Sequence, residues 1–224
     1  MATLPHVITV DGPSSAGKGT LCYALANKLG WKLLDSGAIY RVIALAAFHY
    51  DVDIKSEKEL ILLTKNINIS FDNRGKELSV IIDGIDVSSE IRSEIIGNIA
   101  SIIATFPRVR KELLHQQRSF RTKLGLVADG RDMGTVVFPD AQVKIFLDAT
   151  PEERARRRIQ LLKVNGFDVK LSDILLDIKE RDYRDRNRQI APLVPAKDAL
   201  ILDSTKLSVE GVIKQALTYI KSKI

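Results

Sequence analysis

Residues 7–20 read VITVDGPSSAGKGT. The apolar run at the start of this stretch leads into a loop in which Gly12, Gly17 and Lys18 match the phosphate-binding pattern G-x-x-x-x-G-K. Glycines let backbone N–H groups converge on phosphate oxygens, and the N-terminus of the helix predicted over residues 20–29 adds partial positive charge. Lys18 would bridge the outer phosphates. The stretch therefore predicts a strand, a phosphate-binding loop and a helix, in that order.

The residues after the lysine separate the classes of phosphate-loop protein. Ser or Thr usually completes the pattern, but here Gly19 stands at that position and Thr20 follows. Regulatory GTPases need a guanine-reading N-K-x-D, and residues 27–30 carry glycine in place of the aspartate. A switch GTPase is therefore disfavoured, and the Gly-Lys-Gly-Thr ending resembles that of the nucleoside monophosphate kinases. A glycine-rich turn that binds no ligand remains as the alternative.

Apolar runs and helical stretches alternate along the rest of the chain. This alternation predicts an α/β fold, in which a parallel sheet carries helices on both faces. Buried strands of such a sheet read as continuous apolar runs. Five runs fit this description: Val7 to Val10, Lys32 to Leu34, Leu126 to Ala128, Val143 to Leu147 and Leu200 to Leu202. Capping signals place the starts of three helices at Ser56, Thr150 and Ser208.

One stretch breaks the alternation. Apolar residues alternate over 67–71 and again over 78–82, on either side of the turn-rich sequence Asp-Asn-Arg-Gly at 72–75. A third short strand is predicted at 85–87. Residues 67–88 are therefore predicted to form a small antiparallel insert, which either decorates the surface or shapes a substrate site.

Composition and length indicate one ordinary globular domain over residues 1–224. The chain is 45% hydrophobic and 28% charged, which argues against disorder. Its one cysteine, Cys22, excludes a disulfide within the chain and suits a reducing, cytoplasmic location. No apolar run approaches the roughly 20 residues of a spanning helix, and neither membrane insertion nor a secretory signal is expected.

The chain is basic, with a formal net charge of +6, and the excess is unevenly distributed. Half of the arginines lie between Arg154 and Arg188. Their planar guanidinium groups suit phosphate oxygens. Within the cluster only Phe167 and Tyr183 could stack on bases, so a nucleic-acid surface is poorly supported. Small phosphorylated ligands are the expected partners.

Three further blocks accompany the phosphate loop. They read LDSGAIYR at residues 34–41, ADGRDMGT at 128–135 and RDYRDRNR at 181–188. Together with the loop they resemble the bacterial cytidylate kinase family, in the same order and spacing across essentially the whole chain. The insert also resembles that family's extra antiparallel element. One departure is Ser15, where many members carry glycine; because serine is small, phosphate binding is expected to survive.

The resemblance implies the fold, the reaction and the partners. It implies a P-loop nucleoside monophosphate kinase fold with a five-stranded parallel core, the small insert and an arginine-rich lid at about 154–166. The implied reaction transfers the γ-phosphoryl group of ATP to CMP or dCMP and uses Mg²⁺. The expected enzyme is a cytoplasmic monomer of pyrimidine metabolism that binds small-molecule substrates, without nucleic acid or membrane partners.

The resemblance also implies the site residues. ATP would lie on Gly12, Pro13, Ser14, Ser15, Ala16, Gly17, Lys18, Gly19 and Thr20. The catalytic cations would be Lys18, Arg131, Arg154, Arg157, Arg158 and Arg188, and the sequence does not rank the three lid arginines. The acceptor would be bound by Ser36, Tyr40, Arg41, Ser101, Arg110, Arg131, Asp132, Arg181, Asp185 and Arg188. Asp129 and Thr20 would order Mg²⁺, directly or through water.

Taken singly, these residues have ordinary structural readings. Asp129 could cap a turn, Tyr40 could be a core residue, and Arg41 and Arg110 could be solvated surface charges. Ser101 would be read as a buried helix serine. The spacing of the charges at 181, 185 and 188 places them on one helical face, which is usually an ion-paired surface.

Two rival functions stay open at the level of sequence. A kinase for another small molecule would share the loop and lid but not the acceptor residues. A non-catalytic nucleic-acid binder would explain the net charge but not the phosphate loop. The three histidines, His6, His49 and His115, show neither metal-ligand nor triad spacing and are assigned no chemistry.

Overall fold

The computed structural model describes residues 5–72, 74–75, 78–164 and 168–224. Its strands are β1 (Val7–Asp11), β2 (Lys32–Asp35), β3 (Ile69–Asp72), β4 (Ser79–Ile82), β5 (Ile85–Asp86), β6 (Leu126–Gly130), β7 (Val143–Asp148) and β8 (Leu200–Asp203). Its α-helices are α1 (Lys18–Leu29), α2 (Ser36–His49), α3 (Glu57–Asn66), α4 (Glu94–Ile103), α5 (Pro107–Ser119), α6 (Pro151–Val164), α7 (Leu171–Asn187) and α8 (Val209–Lys221). A 3₁₀ turn (Glu90–Arg92) and a π-helical turn (Met133–Val137) complete the list.

Five strands form one parallel sheet in the order β2-β6-β1-β7-β8. Helices cover both faces, and a separate apolar cluster fills each face. The predicted α/β fold with five parallel core strands is therefore confirmed. The central strands β1 and β6 are buried at every position, which is why they read as uninterrupted apolar runs.

The strands extend beyond their predicted ends, and the extra residues are acidic or glycine. β1 ends on Asp11, β2 on Asp35, and β6 continues through Asp129 to Gly130. The register pairs Asp11 with Gly130 and Asp35 with Asp129. Because the strands are parallel, these carboxyl ends meet at one edge of the sheet, where ligands of open α/β sheets bind.

Helix starts follow the sequence signals in three cases. The backbone N–H of Glu59 donates to Ser56 Oγ at 3.4 Å, that of Glu153 to Thr150 Oγ1 at 3.4 Å and that of Gly211 to Ser208 Oγ at 3.1 Å. Helix α1 begins at Lys18, two residues before the predicted start. Gly17 adopts a left-handed φ of 96° immediately before it, and no side chain caps this helix.

The small antiparallel insert is present, with strands β3, β4 and β5 in that order. The hairpin turn at 72–75 lies only partly within the described residues. Ile69 and Val80 are buried and belong to the apolar cluster under α2. The insert is therefore anchored to the core by its inner face.

Helices α6 and α7 pack against each other around a small apolar cluster of Ala155, Ile174 and Ile178. The end of the predicted lid, residues 165 and 166, lies outside the described residues. Over the described part of the chain, no helix is long and apolar enough to cross a membrane.

Candidate active site

A cavity of about 250 Å³ opens at the carboxyl ends of β1, β2 and β6. It is bounded by the phosphate loop, the start of α2, helices α4 and α5, and the charged face of α7. All ten expected acceptor-binding residues line it: Ser36, Tyr40, Arg41, Ser101, Arg110, Arg131, Asp132, Arg181, Asp185 and Arg188. Ser14, Ser15, Lys18, Asp129 and Arg158 line the same cavity. The fold thus collects residues from six separate stretches of the chain.

The phosphate loop is shaped by two unusual backbone positions. Gly12 has φ 151°, and a Cβ there would lie 2.0 Å from the carbonyl oxygen of Leu147, so only glycine fits. Ser15 has φ 60°, in the left-handed region that non-glycine residues rarely adopt. The departure from the family pattern therefore falls where glycine is conformationally favoured, and it costs about 1–2 kcal/mol of backbone strain.

Lys18 is buried at the centre of this loop. Its Nζ donates to the carbonyl oxygen of Pro13 at 2.9 Å and lies 3.9 Å from Asp129 Oδ1. Burial, with help from Arg131, lowers the pKa of Lys18, and burial likewise raises the pKa of Asp129. At 3.9 Å their mutual attraction does not offset desolvation. A negatively charged phosphate beside Lys18 would favour its charged form.

Asp132 and two arginines form a buried cluster on one wall. One oxygen of Asp132 accepts from Arg110 at 2.5 Å, and the other accepts from Arg188 at 3.3 Å. The Arg110 guanidinium lies 5.8 Å from the ring centre of Tyr40, whose buried hydroxyl has no hydrogen-bond partner among the described residues. The cluster places carboxylate, guanidinium and phenol groups within reach of one flat ligand.

The face of α7 carries the other charges. Arg131 donates to Asp185 at 2.8 Å. Arg181 donates through two nitrogens to Asn98 Oδ1 at 3.0 and 2.7 Å and lies 3.6 Å from Glu94. Burial, reinforced by the nearby Arg158, lowers the pKa of Arg181 to about 10. It remains a cation at neutral pH.

Three other expected acceptor residues are held by local contacts. Ser36 donates to Gln117 at 2.8 Å, and Ser101 accepts from Arg184 at 3.2 Å. Arg41 donates to the carbonyl oxygen of Ile91 at 2.6 Å. These side chains line the cavity in fixed orientations and are not solvated surface groups.

The three arginines expected in the lid lie in different places. Arg154 is fully buried, paired with Asp182 and hydrogen-bonded to the carbonyl oxygen of Ser14 at 3.2 Å. Arg157 donates to Ser204. Of the three, only Arg158 lines the cavity: it is paired with Glu94, and its buried Nε has no hydrogen-bond partner in the part of the chain that the structure describes. The structure therefore separates residues that the sequence could not rank.

The comparison with protein families agrees with this geometry. The family model described as cytidylate kinase matches residues 8–222.

The chain belongs to the cytidylate kinase family.

Its relatives include proteins named cytidylate kinase from three bacteria. That of Proteus mirabilis is 64% identical over 99% of this chain and 98% of its own length. That of Photorhabdus laumondii is 63% identical over 99% and 97%, and that of Serratia proteamaculans is 64% identical over 97% and 95%. As a kinase of this family, the chain uses ATP as phosphoryl donor and small-molecule nucleotides as substrates.

A second cleft lies on the other side of the kinase's phosphate loop. Its volume is about 560 Å³, and it is lined by Gly17, Thr20, Arg157 and Ser204 together with apolar residues of α6 and α8. The phosphate loop therefore separates a small, highly charged cavity from a larger, mainly apolar one.

Thr20 does not line the charged cavity. It is exposed and borders a neighbouring cleft together with Gly19, Asp35 and Asp129. Among the described residues no group of three His, Cys, Asp or Glu side chains could hold a metal ion. Mg²⁺ does not need three protein ligands, because one or two carboxylates, with waters and substrate phosphates, complete its coordination shell. The oxygen donors present here fit that requirement.

The sequence reasoning missed four residues of this site. Asp35 lines the cavity and caps α2 by accepting from the N–H of Ala38 at 3.0 Å. Glu94 and Asn98, on α4, hold the arginines of α6 and α7. The fourth is Asp11. Its position at the end of β1, directly before Gly12, is the one feature of the sequence that could have identified it.

Asp11 is buried and accepts from the backbone N–H groups of Met133 at 2.7 Å and Gly134 at 2.8 Å. Burial raises its pKa to about 6, although these two bonds act in the opposite direction. The folded state therefore binds this proton more tightly than the unfolded state does. The stabilisation from a raised pKa is complete below about pH 4 and is lost as the pH rises through about 6.

We expect this titration to appear in the unfolding free energy. Between about pH 4 and pH 7 the stability of the wild type relative to Asp11→Asn should fall by up to roughly 3 kcal/mol, because asparagine does not titrate. Denaturant unfolding of both proteins across this range measures the difference. A difference that is constant with pH would contradict the raised pKa.

Proposed function

We propose that the charged cavity binds CMP or dCMP and that the larger cleft receives ATP, with the phosphate loop between them. The observation that supports this most is the cluster of Asp132, Arg110 and Arg188, because it offers a carboxylate acceptor and guanidinium donors to one flat ligand. A cytosine base presents the complementary amino donor and ring-nitrogen acceptor. Membership of the cytidylate kinase family supports the same acceptor.

The cations around the cavity would hold the phosphates. Arg131 and Arg188 lie beside Asp185 and Asp132, and Lys18 stands between the two compartments. We propose that a CMP phosphate oxygen attacks the γ-phosphorus of ATP while the bond to the β-γ bridging oxygen breaks, which yields CDP and ADP. Because the attacking oxygen is already ionised, no strong general base is required, and alignment and charge neutralisation carry the catalysis.

We assign the sugar region to Arg181 and Asp185 and the acceptor phosphate to Arg41 and Arg131. Ser36 and Ser101 complete the acceptor wall, and Tyr40 packs beside the base. Arg158 is the lid arginine placed to reach the transferring phosphate, because it alone of the three lid candidates borders the cavity. Arg154 and Arg157 would act from the loop's outer side.

Mg²⁺ would be held by Asp129 and Thr20, with Asp35 beside them. When bound, the ion would neutralise part of the negative charge on the donor phosphates. Asp129 and Asp35 are register neighbours on adjacent parallel strands, so their carboxylates approach the same point. Burial raises the pKa of Asp129, and a cation beside it would favour ionisation.

An acceptor screen tests the proposal. The purified protein is supplied with ATP and Mg²⁺ and with CMP, dCMP, UMP, AMP or GMP in turn, and ADP formation is measured. The proposal expects the highest kcat/KM with CMP or dCMP. Preference for another acceptor would instead support a different small-molecule kinase, and nucleic-acid binding without turnover would support the non-catalytic alternative.

We further propose that the lid at about 154–166 closes over the two substrates and excludes water, which would otherwise hydrolyse ATP. Arg154 and Arg157 anchor the start of α6 to the phosphate loop and Ser204. The moving part of the lid would therefore begin after Arg157 in the sequence. Leu161 and Val164, both highly exposed, belong to that part.

Hydrogen exchange tests the lid. We expect amides over 159–164 to exchange more slowly when a bisubstrate analogue is bound than in the free protein. The anchored turn at 154–157 should show a smaller change, and α8 serves as the internal reference. Equal protection of 159–164 in both states would contradict closure.

The remaining expectations concern the whole chain. We propose that it is a single-domain monomer, confined to the cytoplasm, that does not bind nucleic acid. Light scattering tests whether the protein is a monomer, and a single unfolding transition tests whether it is one domain. Binding assays with DNA and RNA at several salt concentrations test whether it binds nucleic acid.

A further inference from the structure

Asp132 occupies an unusual position for a substrate-binding carboxylate. It directly precedes the π-helical turn Met133–Val137, and its carbonyl oxygen accepts from the N–H groups of Val136 and Val137 at 2.9 and 3.1 Å. It is therefore the N-cap residue of that turn. An aspartate at an N-cap normally folds its side chain back to accept from the first free N–H groups of the helix.

The Asp132 carboxylate does not make that bond. Both of its oxygens are instead turned to Arg110 and Arg188. The free N–H groups of Met133 and Gly134 are satisfied by the two oxygens of Asp11, which comes from β1 and lies 122 and 123 positions earlier in the chain. Asp11 thus accepts the hydrogen bonds that the N-cap residue, Asp132, would otherwise accept.

The fit around this contact is close. Asp11 is only 4% exposed. A Cβ on Gly134 would lie 2.7 Å from Thr9 Oγ1 and 3.3 Å from Asp11 Oδ2, so the turn can approach β1 only with glycine at this position. The cap is therefore a built contact between the phosphate-loop strand and the loop that carries Asp132.

We infer that Asp11 is a positioning residue for base recognition, which acts by capping the turn after β6 and so leaves the Asp132 carboxylate free to face the acceptor base. The inference rests on the proposed function, since it assumes that Asp132 reads cytosine. Without Asp11, two buried N–H donors lose their acceptors, and the Asp132 side chain, at the N-cap of the same turn, is placed to replace them. The Asp132 side chain would then break its contact with Arg110 and cap the π-helical turn instead.

The test uses Asp11→Asn, which keeps the size of the side chain but presents an NH₂ donor to one of the two N–H groups. We expect the ratio of kcat/KM for CMP to that for UMP to fall by about tenfold or more, with a raised KM for CMP. The KM for ATP should stay near the wild-type value. Gly134→Ala, which crowds the same contact without changing charge, should lower the ratio in the same direction.

Ile220→Ala is the control for a loss of stability alone. Ile220 is buried in α8 and borders neither substrate cavity, so the ratio should not change. A double-mutant cycle adds the decisive comparison: in an Asp132→Ala background, Asp11→Asn should leave the ratio nearly unchanged, because the residue through which it acts is gone.

The outcomes are distinct. If the wild type does not prefer CMP to UMP, the proposed function fails. If the wild type discriminates and a folded Asp11→Asn or Gly134→Ala keeps the full ratio, the positioning role fails. If Asp11→Asn lowers the ratio equally with and without Asp132, Asp11 acts by another route and the inference is overturned. If Asp11→Asn does not fold, Gly134→Ala decides.

Discussion

Lys18→Ala should lower kcat by about 10²–10³ while the protein remains folded. Lys18 Nζ is buried among the phosphate loop, Asp129 and Pro13 and faces the cavity in which the phosphates would meet. In this low-dielectric position a cation stabilises the charge that develops between donor and acceptor far more than it would in water. Rapid-quench measurement of CDP formation at saturating ATP and CMP gives the relevant rate.

Lys28→Ala is the matched control, because Lys28 lies on the same helix α1 but is exposed. Its kcat should equal that of the wild type. Circular dichroism and denaturant unfolding establish that Lys18→Ala is folded; removal of a buried cation with a lowered pKa is not expected to unfold the chain. Near-normal turnover by folded Lys18→Ala would refute its assigned role.

The second large effect is expected at Asp132. Asp132→Ala should lower kcat/KM for CMP far more than for UMP and so shrink the ratio between them. A carboxylate only accepts hydrogen bonds, so it suits the amino group of cytosine and opposes the carbonyl oxygen of uracil. Arg110 only donates, so it suits the ring nitrogen or carbonyl of cytosine and opposes the uracil N–H.

The size of the CMP/UMP discrimination follows from the buried hydrogen-bonding groups that uracil would leave unpaired. Each buried mismatch costs about 1–3 kcal/mol, and more when a charge is involved. Two mismatches therefore supply roughly 10²–10⁴-fold discrimination in kcat/KM. Removing Asp132 should abolish most of it.

Two controls separate base reading from general damage. Asp132→Asn keeps the shape of the side chain, offers a donor to uracil and should raise the relative rate with UMP. Asp140→Ala removes another aspartate–arginine pair, with Arg121 at 2.6 Å, away from the cavity, and should leave the ratio unchanged. If Asp132→Ala slows both acceptors by the same factor, Asp132 does not read the base.

The sequence predicted the elements whose signals are local. Apolar runs identified all five core strands, and the three central strands β6, β1 and β7 are buried at all or nearly all positions, as expected of parallel strands covered on both faces. Ser56, Thr150 and Ser208 identified helix starts because a cap acts within three residues. The resemblance of four motifs to one family named ten cavity residues, and the structure brings all ten to one cavity.

What the sequence could not predict depends on contacts between distant residues. The cap supplied by Asp11 joins positions more than a hundred residues apart. Glu94 and Asn98 belong to the site only because α4 packs beside α7. The π-helical turn has no local signal comparable to a proline or a capping box. The burial of Arg154 depends on its pairing with Asp182 on the following helix.

Four arginines in or beside the cavity have a counter-charge built into the fold: Arg110 with Asp132, Arg131 with Asp185, Arg154 with Asp182 and Arg158 with Glu94. Removing one partner of a buried pair costs about 3–5 kcal/mol, a large share of the roughly 5–15 kcal/mol by which a domain is stable. A variant that loses one arginine is therefore left with an unpaired carboxylate, and a second change at that carboxylate is needed to compensate. We therefore expect substitutions at these positions to be rare and to occur in pairs among related sequences.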